Sequence, residues 1–356
     1  MRLPEDSNGL GYQNLISMVF RLMSFRDAWM RVGKAKSKAD AEETIIAPLH
    51  LVLIEEPEAH LHTQVQQVFI RQAYRILRNH PMLGDQKALT TQMVVSTHSS
   101  HIAHACEYGA LRYFRRMPAR AGEIPTSRVV NLTKVFGTDN ETKRFVTRYL
   151  KVTHCDLLFA DAAVLIEGPA ERVLAPHFVT YQPEFRPLDE SYITWLEIAG
   201  SHAHRLRDLI EHLGLTTLII TDLDAMAADG KSAVPKIGAG QKTRNMTLKS
   251  WCPAKEPLDE LLAAPDQSKI KAYGDEQFSI RVAYQCPIQV EFKGKKAQAL
   301  AYTLEDALCY ANLPLFAKIK GTGLLAKFKD AIENSADVAA LSTALLRSRA
   351  ARSFPT

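Results

Sequence analysis

The chain alternates short apolar runs with amphipathic stretches, and that pattern outlines most of its elements. Residues Gln13 to Val32 read as a helix, and the polar, Lys/Ala-rich stretch Lys34 to Glu43 reads as a loop. Leu49 to Ile54 has the length and composition of a buried strand. Thr63 to Arg78 carries Val65, Val68, Phe69, Tyr74 and Leu77 at the spacing of an amphipathic helix. Gln92 to Thr97 predicts another strand, Leu111 to Arg115 and Ser127 to Leu132 shorter ones, and Thr138 to Leu158 a linking helix. From there the elements alternate: a strand near Val164, a helix from Ala170, a strand at Ile193 to Ile198, a helix at His202 to Leu213 and a strand at Thr217 to Thr221. Such alternation favours a parallel α/β sheet flanked by helices. Beyond Glu256 the chain reads as mostly helical, with one short extended piece at Gln289 to Phe292. The boundary falls near residue 158, giving domains 1–157 and 158–356.

Bulk properties narrow the class only modestly. The 356 residues are 46% hydrophobic and 23% charged, enough for two sizeable cores. No apolar run of about 18 residues is present, so no membrane span is expected. The first residues lack the apolar centre of a secretory signal. The five cysteines (Cys106, Cys155, Cys252, Cys286, Cys309) are scattered with no Cys-x-x-Cys spacing. They read as reduced thiols of a cytoplasmic protein. A net charge of +5 permits a polyanion partner without demanding one. The distribution says more, because lysines crowd the last quarter of the chain, from Lys293 to Lys329. Beside a site of carboxylates, such a run suits a phosphate-tracking surface for DNA.

Two apolar runs of the second half end in acidic residues. Val164-Leu-Ile-Glu-Gly-Pro-Ala-Glu171 places Glu167 at a strand end, Gly168 at the turn and Glu171 four residues later, where a helix would point both carboxylates the same way. Leu218-Ile-Ile-Thr-Asp-Leu-Asp224 alternates Asp222 and Asp224 along an extended segment, on one side of it. Four carboxylates at the ends of two parallel strands make a hard-oxygen site for Mg²⁺ or Mn²⁺. This Glu…Asp-x-Asp pattern resembles the Toprim domain of topoisomerases, bacterial primases and several nucleases.

The first half carries a different chemistry. Leu51-Val-Leu-Ile-Glu-Glu-Pro-Glu-Ala-His-Leu-His62 is a strand ending in adjacent carboxylates. Glu55 suits a Mg²⁺-bound water and Glu56 an attacking water. The run resembles the Walker B motif of ABC-type ATPases, followed by a segment like their D-loop. His98, just past a strand end, resembles their switch histidine. Ser7-Asn-Gly-Leu-Gly-Tyr-Gln-Asn14, with Ser7 and Gly9, resembles their signature motif, which holds nucleotide of the opposite subunit at a helix N-terminus. His98, His101 and His104 spread around a helix without a fourth partner, so zinc is not expected there. No Gly-x-x-x-x-Gly-Lys-[Ser/Thr] loop occurs, and Gly238-Ala-Gly-Gln-Lys-Thr243 has Gln where the second Gly is needed. The chain therefore reads as the back part of a longer protein, binding ATP only in that full-length context.

An ABC-type ATPase followed by a Toprim domain resembles the OLD (overcoming lysogenization defect) family of ATP-dependent nucleases, from Ser7 to about Lys329. Gly200-Ser201 after a strand, Gln241 to Trp251 and Thr303-Leu-Glu-Asp-Ala-Leu308 support the likeness. The resemblance implies a two-metal site in which Glu167, Glu171, Asp222 and Asp224 bind the ions and Glu305 completes the set. It also implies a transition-state lysine in the tail, Lys327 or Lys329, and a phosphate-touching or loop-ordering role for Thr243 and Asn245. The implied function is a DNA endonuclease or nickase of anti-phage defence, a homodimer through the ATPase part, with a helicase or other defence protein as possible partner. The alternative of another class is a non-catalytic DNA-binding or dimerisation module. A topoisomerase fits less well, because no active-site tyrosine context is evident and the Walker B-like half has no place in one.

Overall fold

The computed structural model describes residues 9–33, 46–83, 88–119, 122–135, 140–150, 155–198 and 202–350. Ser7, the Lys34 to Glu43 stretch and Gly200-Ser201 lie outside the described residues. The chain divides into two compact units, residues 1–113 with 131–159, and residues 114–130 with 160–356.

The first unit holds α1 (Leu10–Met30), β1 (Leu49–Glu55), α2 (Thr63–Arg78), β2 (Thr90–Ser96) and α3 (Ser100–Ala105). β1 and β2 pair in parallel, with Glu55 opposite Ser96. Val52 from β1 packs with Leu22 of α1 and with Phe69, Ala73 and Leu77 of α2. Buried Arg26 of α1 donates to the carbonyls of Ile76 and Asn79, closing the C-terminal end of α2. The other face of β1 is different: Leu49, Leu51 and Leu53 are exposed. The buried strand expected over Leu49 to Ile54 is thus covered on one face only.

A ribbon of β3 (Arg112–Met117) and β4 (Thr126–Asn131) follows, then α4 (Asn140–Tyr149) and a 3-10 turn at Cys155–Leu158. The linking helix expected over Thr138 to Leu158 is thus shorter. Ribbon residues 114–130 group with the second unit. The anchor is Arg115, which is buried, pairs with Glu276 at 2.8 Å and lies over the Phe278 ring. It fills the space above Gly214, where a Cβ would come within 1.9 Å of the guanidinium.

The second unit is built on β5 (Ala162–Ile166), α5 (Pro169–Tyr181), α6 (Arg186–Asp189), β6 (Ile193–Glu197), α7 (Arg207–Leu213) and β7 (Thr216–Ile220). β8 (Ala225–Met226) and β9 (Lys242–Thr243) form a small ribbon before α8 (Met246–Ser250) and α9 (Leu258–Leu262). Two further strands, β10 (Ile270–Tyr273) and β11 (Phe278–Ala283), then complete a five-stranded sheet in the order β10-β11-β7-β5-β6. All its pairings are parallel except that of β10 with β11. These strands correct the mostly helical reading of the chain beyond Glu256. Phe278, Ile280 and Val282 are buried on alternate positions, the period of a strand with one covered face.

The C-terminal lobe of this unit is a hairpin, β12 (Ile288–Phe292) and β13 (Lys295–Ala299), packed with α10 (Leu304–Ala311), α11 (Leu313–Phe316), α12 (Leu324–Asn334) and α13 (Val338–Ala350). Phe292, Tyr310, Phe328 and Leu341 sit in its core. Among the described residues, no helix is long and apolar enough to cross a membrane.

Candidate active site

From β5 the chain passes to β6 on one side, then returns to β7 on the other side of β5. The carboxyl ends of β5 and β7 therefore flank a topological switch point, where open α/β sheets bind ligands. Both acidic motifs end there. Gly168 is the N-cap of α5 and Pro169 its first residue, a proline position that needs no amide hydrogen. Glu171 thus falls in the first helical turn, beside Gly168 and four residues after Glu167.

β7 ends at Ile220, so Asp222 and Asp224 lie just past the strand and not within it. Burial still alternates, with Leu223 inside and both aspartates half-buried. The chain turns at Asp224, whose φ of 47° is left-handed, a conformation that aspartate tolerates better than most side chains. The turn is held by its neighbours: Arg244 donates its amide to the Asp224 carbonyl at 2.9 Å, and Thr243 Oγ1 donates to the Leu223 carbonyl at 2.6 Å.

Three of the four carboxylates have protein partners. Glu167 accepts from the Thr221 hydroxyl and from the Asp222 amide at 2.9 Å. Asp222 accepts from the Gln285 side chain. Asp224 lies 3.9 Å from Arg244. As they stand, the described residues gather no three His, Cys, Asp or Glu side chains close enough to hold a metal ion. The electrostatics nevertheless favour a cation. Burial, then the charge of Glu167, pushes the Asp222 carboxyl up to about 7, with Glu171 and Asp224 adding to the shift against the Gln285 hydrogen bond. Burial also raises Glu167, with contributions from Asp224 and Glu171 that outweigh its two hydrogen bonds only in concert with that burial. Asp224 is raised by burial and lowered by Arg244. Mutually repelling, half-buried carboxylates with oxygen donors alone fit a hard divalent ion such as Mg²⁺ or Mn²⁺.

Thr243 and Asn245 are fully buried. Asn245 donates to Thr221 Oγ1 at 2.6 Å and to the Asp222 carbonyl at 2.9 Å, while its oxygen caps α8 through the amides of Thr247 and Leu248. Of their two expected roles, ordering the loop is therefore the one seen. Glu305 opens α10, accepting from Thr303 Oγ1 at 2.6 Å. α10 packs against α5, the helix that carries Glu171. Lys327 Nζ donates to the Ser348 carbonyl at 3.0 Å and Lys329 lies 3.8 Å from Glu333, so both lysines have their contacts within the C-terminal lobe. Gln285 escaped the sequence reading. It follows a strand that was itself missed, and a lone glutamine carries no motif.

In the first unit Glu55 ends β1 and Glu56 follows it with a φ of 41°. Glu56 donates its amide to the Ser96 carbonyl, and its carboxylate lies 3.2 Å from His98 Nε2, both side chains being exposed. Glu58 accepts from Thr97 Oγ1 and from the His98 amide, at 2.8 and 2.7 Å, which fixes the loop behind that histidine. Gly9 caps the start of α1. Gly11, the second residue of the helix, permits a close approach to the turn at His60, since a Cβ there would lie 2.5 Å from the His60 carbonyl oxygen. The decoy loop at Gly238 is committed elsewhere: the Gly238 amide donates to Asp259, and Gln241 is folded inward against Val234 and Lys236.

Residues 1–103 match the family model of an AAA ATPase domain, and residues 158–224 match the Toprim domain of overcoming lysogenization defect-like proteins. An Endonuclease GajA of Bacillus cereus (strain HuB5-5) is 26% identical over 324 residues, covering 88% of this chain and 42% of that protein. A second Endonuclease GajA, from Bacillus cereus (strain VD045), is 24% identical over 59% of this chain and 32% of its own length. An OLD nuclease of Thermus scotoductus (strain ATCC 700910 / SA-01) is 31% identical over 176 residues, 49% of this chain and 28% of that protein. The chain spans less than half the length of these curated relatives. The two matched segments are thus similar, in chain order, to an AAA ATPase domain and to the Toprim domain of overcoming lysogenization defect-like proteins.

Proposed function

We propose that the second unit is the cutting centre of an OLD-type nuclease, a metal-dependent DNA endonuclease or nickase. The observation that supports this reading is that, beside the switch point of the sheet, the charges of Glu167, Glu171 and Asp224 act on Asp222, and those of Asp224 and Glu171 act on Glu167. These four carboxylates, with Glu305 at the start of α10, are the residues that would hold two divalent ions. Ions held there would supply an activated water and would neutralise the oxygen that leaves the scissile phosphate. Thr221 donates to Glu167, and Asn245 donates to Thr221 and to the Asp222 carbonyl, so the ends of both acidic motifs are tied to one loop. A lysine of α12, Lys329 or Lys327, is the candidate for charge stabilisation in the transition state. Its present contact, a 3.8 Å pair for Lys329, is weak and partly exposed, leaving the side chain free to reorient.

The first unit would couple nucleotide state to cutting in the full-length protein, with Glu56 and His98 at the γ-phosphate and Gly9, with Ser7, opposite a second subunit's nucleotide. DNA is the expected substrate, and a homodimer or a helicase-like defence partner belongs to that larger assembly.

The test is nicking of supercoiled plasmid with Mg²⁺, with Mn²⁺ and with EDTA. Cutting is expected with either ion, without ATP, and none in EDTA. Glu167→Ala or Asp222→Ala should abolish it, and full cleavage by either variant would sink the assignment. The dispersed carboxylates of the described structure would suit the rival reading, a non-catalytic DNA-binding module. That reading requires retention of DNA with no cleavage under any ion.

A further inference from the structure

Gln285 stands at the carboxyl end of β11, the strand beside β7. Ala283 pairs with Ile220, and the Thr221 amide donates to the Ala283 carbonyl at 3.0 Å. Two residues further along each chain, Gln285 therefore faces Asp222. Its amide is used on every side. Oε1 accepts from the Leu223 amide at 2.9 Å, while Nε2 donates to Asp222 Oδ1 and, at 3.2 Å, to the carbonyl of Tyr302. The partners fix which end is which, because only an oxygen can face an N–H and only an NH₂ can face a carboxylate and a carbonyl at once. Glutamate would present acceptors to acceptors, and an aliphatic side chain would leave all three partners unmet.

We propose that Gln285 is the positioning residue of the metal site, holding Asp222 by one oxygen and tying it to the Tyr302–Glu305 segment. This rests on the cutting-centre reading above. The contact engages Oδ1 alone, so it fixes the rotamer of Asp222 while leaving the carboxylate a donor. The same amide anchors the backbone three residues before Glu305, so one side chain sets the spacing between acidic groups that are 83 positions apart in the chain. Hydrogen bonds of this kind, made to ligands and not to the ion, commonly govern affinity by about 10- to 100-fold.

The experiment uses the full chain and Mn²⁺ alone, with binding read from the loss of the free-ion electron paramagnetic resonance signal. Wild type, Asp222→Ala and Gln285→Met are compared, with melting of each in EDTA as a check of folding. Gln285→Met keeps the length and packing of the side chain but removes its donors and acceptor. A fall in Mn²⁺ affinity on the order of 10-fold or more is expected, with the variant still melting cooperatively. Plasmid nicking should fall with it and recover in part at high Mn²⁺, which a merely structural defect would not do. If Gln285→Met does not fold, Gln285→Ala is read in the same way. Wild-type affinity in a folded Gln285 variant, while Asp222→Ala binds no Mn²⁺, overturns this inference and leaves the cutting centre standing. Wild-type protein that binds no Mn²⁺, or an Asp222→Ala variant that binds it fully, overturns both.

Discussion

Asn245 shows how much a single uncharged side chain can carry. Its amide joins the Thr221 hydroxyl and the Asp222 carbonyl to the N-terminus of α8. Fully buried, it has no water to replace these partners. Asn245→Ala should therefore cost about 2–3 kcal/mol of stability, the loss of a helix cap plus two orphaned buried groups. Chemical denaturation checks this, and a cost under about 0.5 kcal/mol would mean that the loop rearranges to feed those groups. Asn245→Asp should not restore stability, since a second carboxylate would meet the oxygen side of Asp222 and the Glu167 set. Burial, and then the charge of Glu167, already hold the Asp222 carboxyl up to about 7.

Among the elements, α7, α8 and β10 are joined through one carboxylate. Glu211 accepts from Arg207 at 3.2 Å, from the Trp251 indole at 3.1 Å and from Lys271 at 2.9 Å. Burial works to raise its pKa, but the Tyr273 hydroxyl, the Lys271 ammonium and Arg207 win and hold it below the ordinary glutamate value. A carboxyl depressed in the folded state contributes stability above its unfolded pKa, and loses it as pH falls through the folded value. Glu211→Gln should thus lower stability at neutral pH by about 1 kcal/mol, a charged hydrogen-bond set discounted for its partial exposure. The gap to wild type should begin to narrow near the unfolded glutamate pKa of about 4.3 and close only as pH falls through the lower folded value. Melting temperatures measured from pH 3 to pH 8 test the sign. A gap that widens in acid would show that Glu211 is not the stabilised anion.

For the whole molecule, the two units carry chemistries of unequal completeness. The first places Glu56 beside His98 but has no phosphate-cradling loop in its sequence. ATP hydrolysis by this chain alone is expected to be undetectable or very weak. Turnover that vanishes in Glu56→Gln would overturn that expectation and reveal an unrecognised nucleotide loop. DNA binding, by contrast, should depend steeply on salt, because lysine and arginine contacts to phosphate release counterions. Affinity should drop on the order of 10²-fold between about 50 and 200 mM salt, with little dependence on base sequence. Lys329→Ala should slow cleavage at saturating DNA far more than it weakens binding, since a transition-state contact acts on the barrier. If Lys329→Ala and Lys327→Ala both cut at the wild-type rate, neither lysine has that role.

Local pattern was enough for elements whose burial follows from their own residues. The expected helix Thr63–Arg78 and the strands at Ile193 and Thr217 appear within one or two residues of their expected bounds, and a strand forms at Val164, because apolar periodicity is itself the cause of their burial. The strand at Leu49 forms as well, but Leu49, Leu51 and Leu53 are exposed where a buried strand is expected. The acidic motifs were legible for a similar reason, as each is a strand end followed by a turn residue. β10 and β11 were overlooked although Phe278, Ile280 and Val282 alternate, for their short run sits between helices and its partner β7 lies some sixty positions earlier. Sheet order is a property of long-range pairing, which no window of sequence contains. Only that order brings Glu167 and Asp222 to one crevice, seats Gln285 against Asp222 and draws the Glu305 segment towards them. The sequence by itself determined which residue types and strand ends were available for this chemistry. The tertiary structure decided which of them meet, because hydrogen-bond distances across a sheet are set by register and not by proximity along the chain.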